Sequence, residues 1–221
     1  MDNPMEREQI RAMRRSYGEA GLEAVSADPI EQFLLWLAEA HANPYIVEAN
    51  AMVLSTGGGE KITSRTVLLK DVTSAGFSFF TNYSSRKAEA IEASPHVALL
   101  FPWYAMERQV QIQGVATKVS AEVSDDYFAT RPWGSQIGAW ASSQSQILDT
   151  RSTLEERYAK YAQEYPEGSA VPRPPHWGGY TVAPTTIELW QGRYSRLHDR
   201  VRYIQSTDSG NGAWKTIRLF P

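Results

Sequence analysis

The chain has 221 residues, of which 42% are hydrophobic and 21% are charged, and its formal net charge is −3. This composition is that of a globular domain, and the negative charge argues against a dedicated nucleic-acid-binding protein. The sequence contains no cysteine and four scattered histidines, which excludes disulfides and Cys-ligated zinc and argues against any metal site.

Neither membrane insertion nor export is predicted. No run of about 18 apolar residues occurs, and the polar N-terminus lacks the apolar segment of a signal peptide. Together with the absence of cysteine, this pattern predicts a cytoplasmic protein.

The N-terminal region differs in texture from the rest of the chain. Residues 1–27 are charged and weakly periodic, so we expect them to form a mobile arm. A helix is predicted to begin after Asp28, because Asp28 can cap it, Pro29 suits its first position and Glu31 completes a capping-box-like pattern. No repeat or linker divides residues 28–221, which are therefore expected to form one domain.

Strand patterns dominate the remaining chain. Apolar runs rich in β-branched and aromatic residues predict strands over residues 51–56, 62–70, 77–82, 97–103, 107–119, 179–182, 186–191, 197–205 and 213–219. Glycine-rich segments predict turns at 57–59 and 209–212, and Gly114 predicts a bulge or bend.

Helix patterns are fewer and follow no regular alternation with the strands. Cap residues and proline stops predict helices over residues 84–93, 124–130 and 152–165, with an ordered loop or short helical turns over 133–149. We therefore predict an α+β fold, mainly β with peripheral helices, built on an antiparallel barrel-like sheet.

Residues 196–202 (RLHDRVR) are the most informative segment for function. On a regular strand its three arginines and its histidine would share one face, where they repel one another unless an anion lies against them. These residues are Arg196, His198, Arg200 and Arg202. Guanidinium groups match phosphate and carboxylate, so the pattern indicates an anion site. A solvated edge strand protected by its cations explains it equally well.

A second cationic segment opens a predicted helix. Arg86 and Lys87 follow Ser84 and Ser85 and lie in the first helical turn. Cations there oppose the helix dipole, so a phosphate bound by N–H, hydroxyl and cationic donors would explain their position. A serine cap followed by two exposed cations is the simpler alternative.

Two further groups of cations have less specific patterns. Arg65 and Lys70 bracket an apolar run with opposite parity, so they share a site only if one of them reaches around a strand end. Tyr127 and Arg131 share a helix face and Ser135 follows, which could bring a ring, a cation and a hydroxyl to a phosphorylated ring. Charges at strand ends and an arginine that stabilises a helix C-terminus are the alternatives.

The familiar motifs of phosphate loops, dinucleotide folds and serine hydrolases are absent. The segment at residues 57–61 (GGGEK) has the wrong spacing for a phosphate loop and is more typical of a hairpin turn. An enzyme with this sequence would therefore depend on a bound organic cofactor for its difficult step.

Taken together, these segments resemble the FMN-dependent pyridoxine/pyridoxamine 5'-phosphate oxidase family, whose fold is an antiparallel split β-barrel. The resemblance covers nearly the whole chain and rests on eight segments in order. These are residues 65–70 (RTVLLK), 85–87 (SRK), 100–103 (LFPW), 107–110 (ERQV), 135–140 (SQIGAW), 177–180 (WGGY), 190–192 (WQG) and 196–200 (RLHDR).

The resemblance implies a homodimer with FMN at the subunit interface. It also implies oxidation of pyridoxine 5'-phosphate and pyridoxamine 5'-phosphate to pyridoxal 5'-phosphate, with O2 as electron acceptor, hydrogen peroxide as a product and ammonia released from the amine. The residues implied to bind FMN, some of them from the partner subunit, are Arg65, Thr66, Val67, Leu68, Lys70, Phe80, Thr81, Ser85, Arg86, Lys87, Gln109, Gln144, Ser145, Trp190 and Arg200.

A second set of residues is implied to bind the substrate, namely Arg14, Tyr17, Lys70, Tyr127, Arg131, Ser135, Arg196 and His198. Arg196 and His198 would lie over the pyridine ring as catalytic residues, and Arg14 and Tyr17 would close the site as a lid. Two phosphates need two cationic cradles, which the sequence offers around Arg86 and Lys87 and around Lys70 and Arg131.

Two rival functions remain open at this point. One is a related flavin oxidase that acts on a larger, carboxylated ring of the phenazine type, and the other is a non-enzymatic flavin- or pyridoxal-phosphate-binding module. Tyr127, Arg131 and Ser135 favour a phosphorylated pyridine as substrate. The sequence does not reveal a preference between the alcohol and the amine.

Overall fold

One antiparallel sheet forms the frame of the protein, as predicted. The structure is a computed structural model that describes residues 7–13, 16–58, 61–206 and 213–221. The strands in these residues are β1 (Ala51–Gly58), β2 (Lys61–Leu68), β3 (Asp71–Thr73), β4 (Gly76–Asn82), β5 (His96–Trp103), β6 (Arg108–Lys118), β7 (Trp177–Gln191), β8 (Asp199–Gln205) and β9 (Trp214–Leu219). Their order is β2-β1-β5-β6-β7-β4-β3, while β8 pairs with β7 and β9 with β8.

Helices pack around this sheet. In the described residues they are α1 (Arg7–Ala12), α2 (Pro29–Ala42), α3 (Arg86–Ala93), α4 (Ala121–Ala129), α5 (Trp133–Ala141) and α6 (Arg151–Glu164), with short 3₁₀ helices at Tyr104–Met106 and Tyr194–Arg196. No helix in this part of the chain is both long and apolar enough to cross a membrane.

The sheet closes into a barrel where β2 continues into β3. These two strands lie at opposite ends of the strand order, yet only Leu69 and Lys70 separate them. The Leu69 N–H donates to the carbonyl of Asn50 beside β1 (2.9 Å), and the Lys70 N–H donates to the carbonyl of Ser78 on β4 (2.8 Å). The chain thus leaves one side of the sheet and joins the other within two residues.

The long strand β7 connects two parts of the sheet. It pairs with β6 along most of its length, with β4 through residues 177–182 and with β8 through residues 186–191. The sequence predicted two strands here, because Pro184 cannot donate a ladder hydrogen bond. The structure keeps one strand, since the predicted irregularity at Gly114 shifts the register opposite Pro184. A Cβ at Gly114 would lie 2.2 Å from the carbonyl oxygen of Ala183, so this crossing needs glycine.

The core lies inside the barrel and under α2. Phe33 of α2 is fully buried and contacts Phe77 and Phe101 with centroid distances of 5.0 and 4.9 Å. The predicted cap of α2 is confirmed, because the Asp28 side chain accepts from the Ile30 N–H at 2.8 Å. The predicted role of Glu31 is wrong, since its carboxylate binds the Ser26 hydroxyl and not the backbone of Asp28.

Three helix predictions in the second half of the chain need correction. Helix α4 begins three residues earlier than predicted, at Ala121, because the Ser120 hydroxyl caps it by accepting from the Val123 N–H at 3.3 Å. The segment after residue 132 contains a continuous helix, α5, because Trp133, Ile137 and Ala141 recur every four residues and the last two are buried. Helix α6 begins earlier than predicted, at Arg151. Its cap is Thr150, whose Oγ1 accepts from the Thr153 N–H at 3.3 Å.

The predicted strand over residues 197–205 begins two residues late, at Asp199. Ser195 and Arg196 have φ values of 55° and 62°, so the chain turns through two left-handed residues immediately before the strand. Non-glycine residues rarely adopt this conformation, and no pattern in residues 195–196 predicted it. Arg196 and His198 therefore do not lie on the same strand face as Arg200 and Arg202, contrary to the prediction.

Residues 16–27 lie along the C-terminal strands. The Gly18 N–H donates to Glu107 Oε2 and the Leu22 N–H to Asp199 Oδ2, both at 2.9 Å, and the Tyr203 hydroxyl donates to the Ser26 carbonyl at 2.7 Å. Arg14, the tip of the turn predicted at 57–59 and the whole turn predicted at 209–212 lie outside the described residues. The strands on either side of both turns pair as hairpins.

Candidate active site

A cavity of about 830 Å³ opens between β2, β4, α4 and α5. This volume is in the range of small-molecule binding sites. The predicted site residues among its walls are Arg65, Thr66, Val67, Leu68, Lys70, Phe80, Thr81, Lys87, Tyr127, Arg131, Ser135 and Gln144. Lys87 and Arg131, which come from the two predicted phosphate cradles, thus face one common cavity.

Arg65 and Lys70 line this cavity close to the point where the barrel closes between β2 and β3. Arg65 lies on β2, which ends at Leu68, and Lys70 follows in the two-residue connection to β3. The prediction that one of them reaches around a strand end is confirmed. The Arg65 guanidinium donates to the Leu54 carbonyl (3.0 Å) and to Thr56 Oγ1 (2.9 Å), and burial lowers its pKa.

Lys87 is the most constrained cation of the site. Its ammonium donates to Gln144 Oε1 (2.7 Å), Thr81 Oγ1 (3.0 Å) and Ser85 Oγ (3.2 Å). All three acceptors are neutral, so they satisfy the hydrogen bonds without balancing the charge. Burial, reinforced by the charge of Arg65, lowers the pKa of Lys87 to about 8.

The simpler alternative, a serine cap followed by two exposed cations, is wrong in part, because Arg86 is exposed but Lys87 is buried. Lys87 is 8% exposed. Ser85 occupies the cap position of α3, but its hydroxyl donates to the Asn82 carbonyl at 2.7 Å and makes no cap bond. Next to it, the Arg86 N–H donates to Ser145 Oγ at 3.4 Å, and Ser145 has a left-handed φ of 73°.

Arg131 lines the same cavity and lies on an aromatic surface. Its guanidinium carbon is 4.7 Å from the ring centroid of Trp177 and 5.5 Å from that of Phe128. Its Nη1 atom is buried without a hydrogen-bond partner among the described residues. Burial lowers the pKa of Arg131. A buried guanidinium with an unused donor fits an anionic ligand that enters the cavity.

Three stacked rings form the wall beside Arg131. The Phe80 ring centroid lies 4.1 Å from that of Tyr127 and 5.4 Å from that of Trp177, with interplanar angles of 24° and 13°, and the Tyr127 and Trp177 centroids are 6.1 Å apart. The Lys70 ammonium is 6.0 Å from the Tyr127 centroid. A flat apolar wall next to cations suits a planar ring that carries an anionic group.

The charge of the cavity is unbalanced. Among the described residues that line it there is no aspartate or glutamate, and its four cations take part in none of the ion pairs found in the described chain. Lys87 is buried, Arg65 and Arg131 are partly buried, and Lys70 is exposed. Burying a cation without a counter-charge is costly, so this arrangement indicates a site that binds anions.

The other predicted residues form a second group on neighbouring strands. Gln109 of β6 pairs with Trp190 of β7, which pairs with Arg200 of β8. These three residues line a smaller cavity of about 320 Å³ together with Glu188.

Glu188 supplies the anion that the sequence required against the arginines of β8. Its carboxylate accepts from Arg200 Nε at 2.8 Å and from Arg202 Nη2 at 2.7 Å. Sequence analysis missed this residue, although a lone carboxylate between Ile187 and Leu189 in an apolar strand was a signal. Since one carboxylate meets two guanidinium groups, a net positive charge remains on this face.

His198 and Tyr17 extend this second group. The rings of Trp190 and Tyr17 lie 4.7 and 5.5 Å from that of His198. His198 Nδ1 accepts from the Arg193 N–H at 3.1 Å, so the neutral ring carries its proton on Nε2. Partial burial and the neighbouring Arg196 lower the pKa of His198, which favours this neutral form.

The two groups lie at opposite ends of β7. Trp177 begins the strand and lines the larger cavity, whereas Trp190 lines the smaller one. The strand rises about 3.3 Å per residue, so these two tryptophans are separated by roughly 40 Å along it. The predicted site residues of one chain are thus brought together in two places, not one.

The fold and the larger cavity define a flavoprotein of the FMN-binding split-barrel class. The same fold occurs in a Nostoc punctiforme structure described as a pyridoxamine 5'-phosphate oxidase-related, FMN binding protein, with a TM-score of 0.69 and 14% identity over 89% of this chain and all of that one. It also occurs in PhzG from Burkholderia lata, solved in complex with tetrahydrophenazine-1-carboxylic acid, with a TM-score of 0.81 and 29% identity over 89% and 94% of the two chains.

Sequence comparison identifies the family. Residues 38–165 match the family description "Pyridoxamine 5'-phosphate oxidase", and residues 177–221 match its C-terminal dimerisation region. Proteins named pyridoxine/pyridoxamine 5'-phosphate oxidase from Actinobacillus pleuropneumoniae and Streptomyces avermitilis are 51% and 47% identical to this chain. The alignments cover 96% and 95% of this chain and 99% and 95% of those relatives. The chain belongs to the pyridoxamine 5'-phosphate oxidase family, whose cofactor is FMN.

Proposed function

We propose that the protein oxidises pyridoxine 5'-phosphate and pyridoxamine 5'-phosphate to pyridoxal 5'-phosphate. The alcohol and O2 give the aldehyde and hydrogen peroxide, while the amine also consumes water and releases ammonia. The proposal rests on one observation above all, the cavity whose four cations form no ion pair with any carboxylate of the described residues. The proposal is also supported by relatives that are named for this activity and are 47–51% identical to this chain over nearly its full length.

The cofactor phosphate fits the end of the cavity around Lys87. Lys87 and Arg65 present buried positive charge there, and Arg86 with Ser145 lies beside them. When bound, FMN supplies the two-electron oxidant that the side chains of this sequence lack. The residues of the chain bind and orient it.

The substrate phosphate fits the other end of the cavity. Arg131 offers its unpartnered Nη1, Lys70 adds a second charge, and Ser135 at the start of α5 adds a hydroxyl. The wall of Phe80 and Tyr127 excludes water from one side of this space. Phosphate recognition at this end would orient the pyridine ring toward the middle of the cavity.

We further propose that a partner subunit completes the site. Gln109, Trp190 and Arg200 lie at the opposite end of β7 from the cavity, roughly 40 Å away measured along the strand. A two-fold dimer places the end of one β7 against the beginning of the other. The match of residues 177–221 to a dimerisation region supports this arrangement.

In this dimer, Arg196 and His198 would lie over the substrate ring. The neutral His198 holds a proton on Nε2 and can donate it to a substrate oxygen or accept one after ring rotation. Tyr17 packs against the His198 ring, and we propose that Arg14 and Tyr17 close this half of the site. A cytoplasmic location belongs to the same proposal, since a chain without cysteine suits a reducing compartment.

The test uses the purified protein and its visible spectrum. We expect a yellow dimer that releases FMN on denaturation, is bleached by pyridoxine 5'-phosphate without oxygen, and produces peroxide in air. A colourless protein that cannot be reconstituted with FMN would contradict the proposal. A flavin that is bound but ignores both vitamers would instead favour a binding module.

The structural similarity to PhzG favours a second candidate, oxidation of a larger carboxylated ring. Its sequence identity of 29% is well below the 47–51% of the vitamer oxidases. Turnover of a reduced phenazine carboxylate, with no turnover of pyridoxine 5'-phosphate, would decide for this candidate.

A further inference from the structure

The environment of Arg131 differs from that of the other cavity cations. Lys87 and Arg65 are held by hydrogen bonds to side chains or carbonyls, whereas the Arg131 guanidinium lies over the Trp177 ring and near the Phe128 ring. The guanidinium carbon is 4.7 Å from the Trp177 centroid, and Nη1 has no partner in the described residues. The Trp177 ring is therefore the nearest feature that fixes the orientation of this guanidinium.

Trp177 is itself held from several directions. It is 6% exposed, its ring is stacked 5.4 Å from Phe80, and its edge contact with Phe128 has a centroid distance of 5.1 Å. Its carbonyl accepts from Arg173 Nη1 at 2.6 Å, and Arg173 Nε donates to Asp125 of α4 at 2.7 Å. The ring is thus tied to the helix that directly precedes Arg131.

We infer that Trp177 is a positioning residue for the substrate phosphate. The inference rests on the proposed function, in which Arg131 binds that phosphate. The face of the indole attracts the guanidinium and keeps its plane fixed, so that the free Nη1 donor is aimed before the ligand arrives. Trp177 would therefore set the preference of the enzyme for phosphorylated over unphosphorylated vitamers.

The chain offers a matched series of variants. Trp177→Leu removes the aromatic face, and Trp177→Phe keeps a smaller one. Trp140→Leu is the control, because Trp140 packs in the same aromatic cluster with Tyr161 and Tyr165 but does not line the cavity. A loss of packing in this cluster alone would affect both leucine variants alike.

We expect Trp177→Leu to raise the KM for pyridoxine 5'-phosphate about tenfold, equivalent to about 1.4 kcal/mol, with kcat and FMN content nearly unchanged. Trp177→Phe should recover most of this loss, and Trp140→Leu should show none. The kcat/KM for unphosphorylated pyridoxine should not change, since Arg131 then has no phosphate to bind. Calorimetric titration of the holoenzyme with pyridoxal 5'-phosphate should show the same tenfold loss of affinity.

A double-mutant cycle with Arg131→Lys tests the coupling directly. Lysine keeps the charge but has no planar group to lie on the indole, so adding Trp177→Leu to Arg131→Lys should cost little more. Additive losses, an unchanged KM in Trp177→Leu, or an equal loss in Trp140→Leu would overturn the inference. Wild-type protein that binds FMN but does not oxidise pyridoxine 5'-phosphate would instead refute the proposed function.

Discussion

The carboxylate of Glu188 accepts a hydrogen bond from Arg200 Nε at 2.8 Å across the pairing of β7 with β8. The same carboxylate holds Arg202. Arg200 is proposed to bind FMN, so Glu188 determines where its guanidinium points. Pairing with Glu188 reduces the repulsion between Arg200 and Arg202 and fixes the direction of the Arg200 guanidinium, while a net positive charge remains.

We predict that Glu188→Gln weakens FMN binding about tenfold and lowers the free energy of unfolding by about 1.5–3 kcal/mol, the usual value of hydrogen bonds to charged groups. The neutral amide cannot form ion pairs with Arg200 and Arg202, so these two guanidinium groups then repel each other. Flavin fluorescence during titration of the apoprotein measures the affinity, and urea unfolding measures the stability. Arg202→Leu, which leaves the Arg200 contact in place, should retain FMN.

FMN affinity should fall as the pH rises above about 8. The pKa of Lys87 in the free protein is about 8, below its ordinary 10.5, and a bound phosphate favours the charged ammonium. Binding at higher pH therefore takes up a proton, and the dissociation constant should approach a tenfold rise per pH unit. Lys87→Met should bind FMN weakly with no such slope, and a slope that persists in this variant would rule out Lys87 as its source.

The free energy of unfolding of the apoprotein should rise over the pH range in which FMN affinity falls. Between about pH 8 and 10 the unfolded chain keeps the proton on Lys87, whereas the folded chain has released it. The contribution of this group to the free energy of unfolding therefore increases with pH. Subtracting the profile of Lys87→Met from that of the wild type isolates this contribution.

Arg86→Ala and Arg196→Ala should separate cofactor binding from substrate binding. Loss of Arg86 would remove the charge-assisted phosphate contact proposed for it, and we expect FMN affinity to fall by about 1.5–3 kcal/mol. Arg196→Ala should keep FMN and raise the KM for the vitamer, because Arg196 is assigned to the pyridine ring. Apoprotein recovered from Arg196→Ala, or unchanged flavin affinity in Arg86→Ala, would contradict these assignments.

Deleting residues 1–20 should slow turnover and leave folding intact. The contact of Gly18 with Glu107 and the packing of Tyr17 against His198 are lost, but the buried Leu22 and its bond to Asp199 remain. Thermal unfolding and gel filtration check the fold, and steady-state kinetics check the turnover. A truncated chain that no longer forms a dimer would show that this region is structural.

The larger cavity was predictable in its residue types but not in its connectivity. The opposite parity of Arg65 and Lys70 predicted that they share a site only at a strand end. The predicted strand ended at residue 70, and β2 ends at Leu68. The sequence could not show that the barrel closes there, because closure depends on pairing Lys70 with Ser78 of β4. Stacking of Arg131 on Trp177 was equally hidden, since these residues lie 46 positions apart in the sequence.

The second group illustrates a different limit. Alternation correctly placed Arg200 and Arg202 on one face, but it also placed Arg196 and His198 there, because it assumed that the strand continues through residues 195–196. Two consecutive non-glycine residues in the left-handed region leave no mark in a single sequence. The roles of Gln109 and Trp190 came from family resemblance alone.

The length of β7 has a genetic consequence. If each complete site takes the beginning of this strand from one subunit and the end from the other, lesions at the two ends complement each other. Two inactive polypeptides, one altered at Lys87 and one at Trp190, would assemble into hybrids in which one site carries both lesions and the other carries neither. Random reassortment then restores about a quarter of the sites.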